Sequence, residues 1–151
     1  MRNLKKVLKN KGYSIIPLII SGTNHLEVNA SINGISGRFI LDTGASNTCV
    51  GVDKASYFKL VSKDSKIKAA GAGATDMETL VSTKNKIKIG SWIKQKQKIV
   101  VFDLVHVNEA LKAHKCLPVD GIIGADILIK CKAVIDYASG NLFLKNKKKP
   151  L

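Results

Sequence analysis

The chain is poor in the residues that several functions require. Aromatic residues are only 5% of it, and nearly all of its positive charge is lysine. That leaves little for base stacking or guanidinium readout, so no specific nucleic-acid recognition is expected. Cysteine occurs three times, at Cys49, Cys116 and Cys131, with no C-x-x-C spacing. An odd, unpatterned set reads as reduced, mostly buried thiols in an intracellular protein. His106, His114, Cys116 and Cys131 match no common zinc spacing, so no metal is expected. No stretch approaches the ~18 apolar residues of a membrane span. The opening "MRNLKKVLKNKGYSIIPLIISG" puts basic residues before apolar ones, as a signal peptide does. Its apolar part, Ile15 to Ile20, is short, is interrupted by Pro17 and lacks an A-x-A-type cleavage site. It reads better as a first β-strand, and a cytoplasmic protein is expected.

Acidic residues are also scarce, 11 against 25 Lys and Arg, for a net charge of +14. Lysines crowd both ends, at Lys5, Lys6, Lys9 and Lys11 and again at Lys145, Lys147, Lys148 and Lys149. Such runs suit nucleic acid, anionic lipid or an acidic substrate. With so few aromatics, a solvated lysine-rich surface with frayed termini is the simpler reading.

What the chain does have is a pattern of short strands. Its 151 residues fit one domain, read as residues 15–145 between a basic lead at 1–14 and a basic tail at 146–151. In "HLEVNASINGISGRFIL", Leu26, Val28, Ala30 and Ile32 alternate with polar residues, the period of a half-buried strand. Asn33-Gly34 supplies the positive-φ residues of a hairpin turn, and Gly37 a second flexible point. Residues 65–82 read as two strands around a Gly/Ala tip, and 85–104 as two more with a bend near Gly90. Residues 133–144 read as a closing hairpin turning at Ser139-Gly140. Short helices are expected at 53–60, 107–114 and 124–132. This is a mainly β chain with short helices, a barrel or a sandwich.

One stretch breaks the pattern. In "FILDTGASNTCV" an apolar strand ends in Asp42, near the interior, before a tight turn. Acids are almost never fully buried unless paired or put to use. Taken alone, Asp42 is equally well a turn-capping acid satisfied by following N–H groups.

Asp42-Thr43-Gly44-Ala45-Ser46 resembles the catalytic motif of the aspartic proteases, and two further segments strengthen the likeness. "DGIIGADIL" (120–128) is similar to the paired-apolar-Gly segment before the last helix of retroviral-type proteases, and "AAGAGATDM" (69–77) falls where those enzymes carry a flap. The chain most resembles the bacterial retropepsin-like, single-domain aspartyl proteases. That resemblance implies an all-β acid-protease barrel carrying one half-site per chain, since only one Asp-Thr-Gly occurs. A homodimer would then supply two Asp42 carboxylates, which hydrolyse a peptide or protein substrate without a cofactor.

By the same resemblance, Thr43 locks the two loops together, and Gly44 lets the backbone approach the carboxylate. Ala45 and Ser46 face the substrate. Gly71, Ala72, Gly73, Ala74 and Thr75 form the flap, and Ile122, Ile123 and Gly124 pack behind the catalytic loop. The chain departs from the retroviral pattern at Ser46 and Ala125, where an acid and an arginine usually pair. It is also longer between Val105 and Val119, and its flap lacks the pepsin-type tyrosine. Trp92 and Met77 read as core or flap packing. The rival expectation is a dimeric module of the same fold that grips a peptide without cutting it.

Overall fold

The computed structural model describes residues 3–71 and 74–147, and side chains only outside 64–78. In chain order the elements are α1 (Leu4–Asn10), β1 (Tyr13–Pro17), β2 (Ile19–Ile20), β3 (Leu26–Ile32), β4 (Ile35–Leu41) and β5 (Cys49–Gly51). There follow β6 (Ser62–Gly71), β7 (Ala74–Ile89), β8 (Trp92–Phe102), α2 (Val105–Ala113), β9 (Gly121–Ile123), α3 (Ala125–Lys130), β10 (Val134–Asp136) and β11 (Asn141–Lys145).

Six of these strands close on themselves in the order β3-β4-β9-β5-β8-β7, with β7 pairing back to β3 through Ser31↔Lys88 and Ile32↔Ile87. Two parallel joints interrupt the antiparallel ladder: β4 with β9, and β5 with β8. A separate sheet, β1-β11-β10, brings the first and last strands side by side.

Alternation along β3 sends Val28, Ala30 and Ile32 inward to meet Phe39, Ile87, Ile99 and Ile123 in the main core. Ile127 and Leu128 of α3 and Leu142 and Leu144 of β11 belong to the same core. A second cluster joins Ile40, Cys49, Val100 and Ile122 to Leu104, Val119 and the α2 residue Leu111. Each fully buried Leu, Ile or Phe contributes about 1.5–3 kcal/mol, so these clusters are the chief stabilising term. Glu27, one of the polar alternates of β3, is also fully buried and pairs with Arg38 on β4.

Turn chemistry is where the sequence places it. Asn33 (φ 52°) and Gly34 (φ 84°) close the β3–β4 hairpin, Gly90 (φ 58°) turns β7 into β8 and Gly140 (φ 70°) turns β10 into β11. Helices α2 and α3 also lie where expected. Within the basic lead, Asn3 caps α1, accepting from the Lys5 N–H at 3.0 Å. The apolar run at 15–20 divides between two sheets, in β1 and β2.

Three local readings need correction. No α-helix spans 53–60, where a single 3-10 turn at Val52–Lys54 gives way to turns. The reason is Phe58, which is 0% exposed and packs on Phe39 with ring centroids 5.9 Å apart; Lys59 then leaves at φ 58°. Gly37 is a strand residue and not a hinge. A Cβ there would sit 2.6 Å from the Phe58 ring, so it is glycine for space. Finally, β7 runs unbroken through the expected gap between 82 and 85. Lys84 (φ 63°) and a register shift between Ser82 and Asn85 make that gap a bulge.

Candidate functional site

The site is built where β4 stops. Its parallel partner β9 continues the ladder one step further, and the Asp42 N–H donates to the Ile123 carbonyl at 3.0 Å. The chain then turns sharply: the Ala45 N–H donates to the Asp42 carbonyl (3.2 Å) and the Gly44 N–H to Asp42 Oδ1 (2.9 Å). A Cβ on Gly44 would lie 3.3 Å from that same oxygen, so glycine is what allows the close approach. Asp42 is half-buried, while Thr43, Gly44 and Ser46 are exposed. The Thr43 hydroxyl makes no hydrogen bond with the described residues of its own chain.

Behind this turn, Ile122, Ile123 and Gly124 are all buried. Gly124 is pressed against the turn itself, since a Cβ there would meet the Ala45 oxygen at 2.8 Å and Asn47 backbone atoms at 2.8 Å. The Ala125 N–H donates to the Ala45 carbonyl at 2.7 Å, tying the start of α3 to the same loop.

A brace that sequence reasoning missed completes the arrangement. Asp126, in the first turn of α3, accepts on Oδ1 from the Thr48 N–H (3.0 Å) and hydroxyl (2.8 Å) and from the Ile127 N–H (2.9 Å). Its Oδ2 accepts from Gln97 Nε2 at 3.2 Å, and Thr48 Oγ1 in turn accepts from the Gly124 N–H at 3.1 Å. One carboxylate thereby joins the Asp42 loop, β8 and α3. An acid in the first turn of a helix was the available clue, because it both caps N–H groups and opposes the helix dipole.

Asp42 opens onto a cavity of about 450 Å³, whose other lining residues include His25, Leu41, Val107, Ile122 and Tyr137. Beside it lies a second cavity of about 600 Å³ against α2, sharing Asn24, His25, Ile40 and Val107 with the first. All three histidines of the chain, His25, His106 and His114, line this second space. Thr23 Oγ1 lies 2.7 Å from His25 Nδ1, fixing one imidazole. Nothing in the sequence pattern brings these three together. Folding does so, setting α2 and its end beside the 22–25 turn that carries His25.

Cys49 sits in the floor near both acids. Its thiol is pushed up to about 12, first by burial and then by the Asp126 and Asp42 charges, against a lowering backbone hydrogen bond from Ile122. It is therefore a packing residue and not a nucleophile. Among the described residues no group of three or more His, Cys, Asp or Glu side chains is placed to hold a metal ion. No described helix is long and apolar enough to cross a membrane.

Of the flap residues, Gly71 and Ala74 pair across the β6–β7 hairpin, and Thr75 follows on β7. Ala72 and Gly73 lie outside the described residues, as do the side chains of Thr75 and Met77.

The chain is similar to known proteins in sequence profile and in fold. The family profile described as aspartyl protease matches residues 28–127. No curated protein sequence matches the chain. Among solved structures, a retropepsin-like aspartic protease from Rickettsia conorii is similar at 21% identity and a TM-score of 0.59, covering 89% of this chain and 90% of that one. The retroviral protease-like domain of Ddi1 from Leishmania major is similar at 19% identity and 0.57, covering 82% and 90%. EIAV protease, complexed with the inhibitor HBY-793, is similar at 21% and 0.54, covering 74% and 92%. The six-stranded barrel is a retropepsin-like fold, and the chain belongs to the aspartyl protease family.

Proposed function

We propose that the chain is an aspartic endopeptidase that works as a homodimer, each subunit contributing Asp42. The observation that carries this reading is the turn at the end of β4. It holds one half-buried carboxylate against the Gly44 N–H on the floor of a cavity. One such carboxylate per chain is half of the two-acid arrangement that aspartic peptide hydrolysis uses.

With two Asp42 side chains facing each other, mutual repulsion leaves a single proton shared between them, and the pair titrates as a unit. The ionised carboxylate takes a proton from a water held between the two, and the water oxygen adds to the scissile carbonyl carbon. The protonated carboxyl gives its proton to the carbonyl oxygen. Collapse of the tetrahedral intermediate breaks the C–N bond as a proton passes to the leaving amine.

Thr43 would bond across the two loops, and Ile122, Ile123 and Gly124 would hold the loop from behind. The hairpin tip at 71–75 would close over a peptide lying as an added strand. The α2 wall, with Val107 and the histidines, would shape a substrate subsite.

The test is mass-spectrometric cleavage of a diverse peptide mixture from acidic to neutral pH, at several concentrations of wild-type and Asp42→Ala protein. Cuts that rise more steeply than linearly with dilute protein, and are absent in the variant, are expected. Cuts that survive Asp42→Ala would refute the assignment. No cuts from a folded dimer would leave a peptide-binding module.

A further inference from the structure

A groove of about 820 Å³ that shares no lining residue with the Asp42 cavity lies where the start of β8, the end of α3 and the end of β11 meet. Six lysines line it: Lys94, Lys96, Lys130, Lys132, Lys145 and Lys147. No carboxylate is in the lining, and neither of the two ion pairs among the described residues involves any of these lysines. The crowding has an electrostatic consequence. Lys94 is pulled below the ordinary lysine range, first by burial and then by the Lys130 and Lys147 charges, with only Asp126 acting against them. Lys94 Nζ donates to Gln97 Oε1 at 2.7 Å, but the six like charges have only the Asp126 carboxylate, outside the lining, against them, and a bound anion would relieve their repulsion.

The remaining lining narrows the class of anion. Trp92 is 5% exposed, so it offers no face on which a base could stack, and every cation is a lysine, with no guanidinium for bidentate readout. A bilayer is flat and reaches only the rim of a concavity. Ile93 is 46% exposed within the groove and gives apolar contact between the charges; Gln95 and Asn146 give amide groups suited to a peptide backbone. Carboxylates alternating with aliphatic side chains complement this surface.

We propose that the groove is a docking site for an acidic polypeptide segment that also carries aliphatic side chains, distinct from the Asp42 cleft and independent of cleavage. Trp92 is too buried to be contacted directly, so binding is read from a fluorescent label on the peptide. The full chain carrying Asp42→Asn, which removes any cleavage, is titrated into a labelled short peptide of alternating glutamate and leucine.

A saturable fluorescence change is expected, weakening as salt rises. In Lys130→Glu/Lys147→Glu, affinity should fall by roughly tenfold or more. Lys112→Glu/Lys115→Glu, which changes net charge equally on and just after α2, should stay within about twofold. Lys130→Gln/Lys147→Gln keeps the test informative if charge reversal unfolds the chain. Equal weakening in both reversed pairs would reduce the effect to overall charge and overturn the site. So would tighter binding of an oligonucleotide or an anionic vesicle than of the peptide, or no binding of the peptide at all.

Discussion

Replacing Thr48 by valine tests the brace behind the Asp42 loop most directly. The side chain is fully buried, and valine nearly reproduces its shape, so little cavity is created. The substitution removes the hydroxyl that donates to Asp126 Oδ1 at 2.8 Å and accepts from the Gly124 N–H at 3.1 Å. A hydrogen bond to a charged acceptor contributes about 1.5–3 kcal/mol, and a stranded buried N–H costs about 1–3 kcal/mol. The added methyl offsets about 0.8 kcal/mol through burial. The net loss should be about 3 kcal/mol, read from urea denaturation. In a domain of this size that corresponds to a Tm lower by about 6–12 °C. The partner variant, Asp126→Ala, removes the same contact from the other side. A double-mutant cycle should therefore return a coupling of at least about 1 kcal/mol. Losses under about 1 kcal/mol for Thr48→Val, or no coupling, would refute the reasoning that this carboxylate holds the loop.

Two further perturbations probe the floor beneath that loop. Gly121→Ala places a Cβ 2.2 Å from the Cys49 carbonyl oxygen and 2.8 Å from the Phe39 ring, so it should destabilise by over about 4 kcal/mol or fail to fold. Gly140→Ala has open space and only its φ of 70° against it, and should lose about 1 kcal/mol; comparable losses in the two would count against the packing argument. The Cys49 thiol makes stability pH-dependent in a defined direction. Folding raises it from 9.0 to about 12, so its contribution is intact below pH 9 and is lost as pH climbs toward 12, when the unfolded chain releases the proton first. Cys49→Ala should flatten the fall in unfolding free energy between about pH 9 and pH 11 by about 1.4 kcal/mol per unit. Cys131, raised to about 11, retains its own slope. An unchanged slope would show that the thiol ionises as readily folded as unfolded.

Local information decided much of this protein. The alternation of Leu26, Val28, Ala30 and Ile32, the Asn33-Gly34 turn and the apolar run into Asp42 are short-range patterns, and each produced the element it specified. The Asp-Thr-Gly turn was legible for the same reason, because glycine two residues after an acid is a local backbone requirement. Where the sequence misled, long-range packing was responsible. Residues 53–60 carry acceptable helical residues, but the barrel draws Phe58 into its core and unwinds them.

The brace from Thr48 to Asp126 spans 78 positions, and no spacing rule connects residues so far apart. The three histidines become neighbours, and the lysines of β8, α3 and β11 line one groove, only once the chain has closed. Periodicity and turn chemistry act over a few residues and fix the elements. Which side chains from distant elements share a cavity depends on strand order, a long-range property completed by the β3–β7 pairing that closes the barrel.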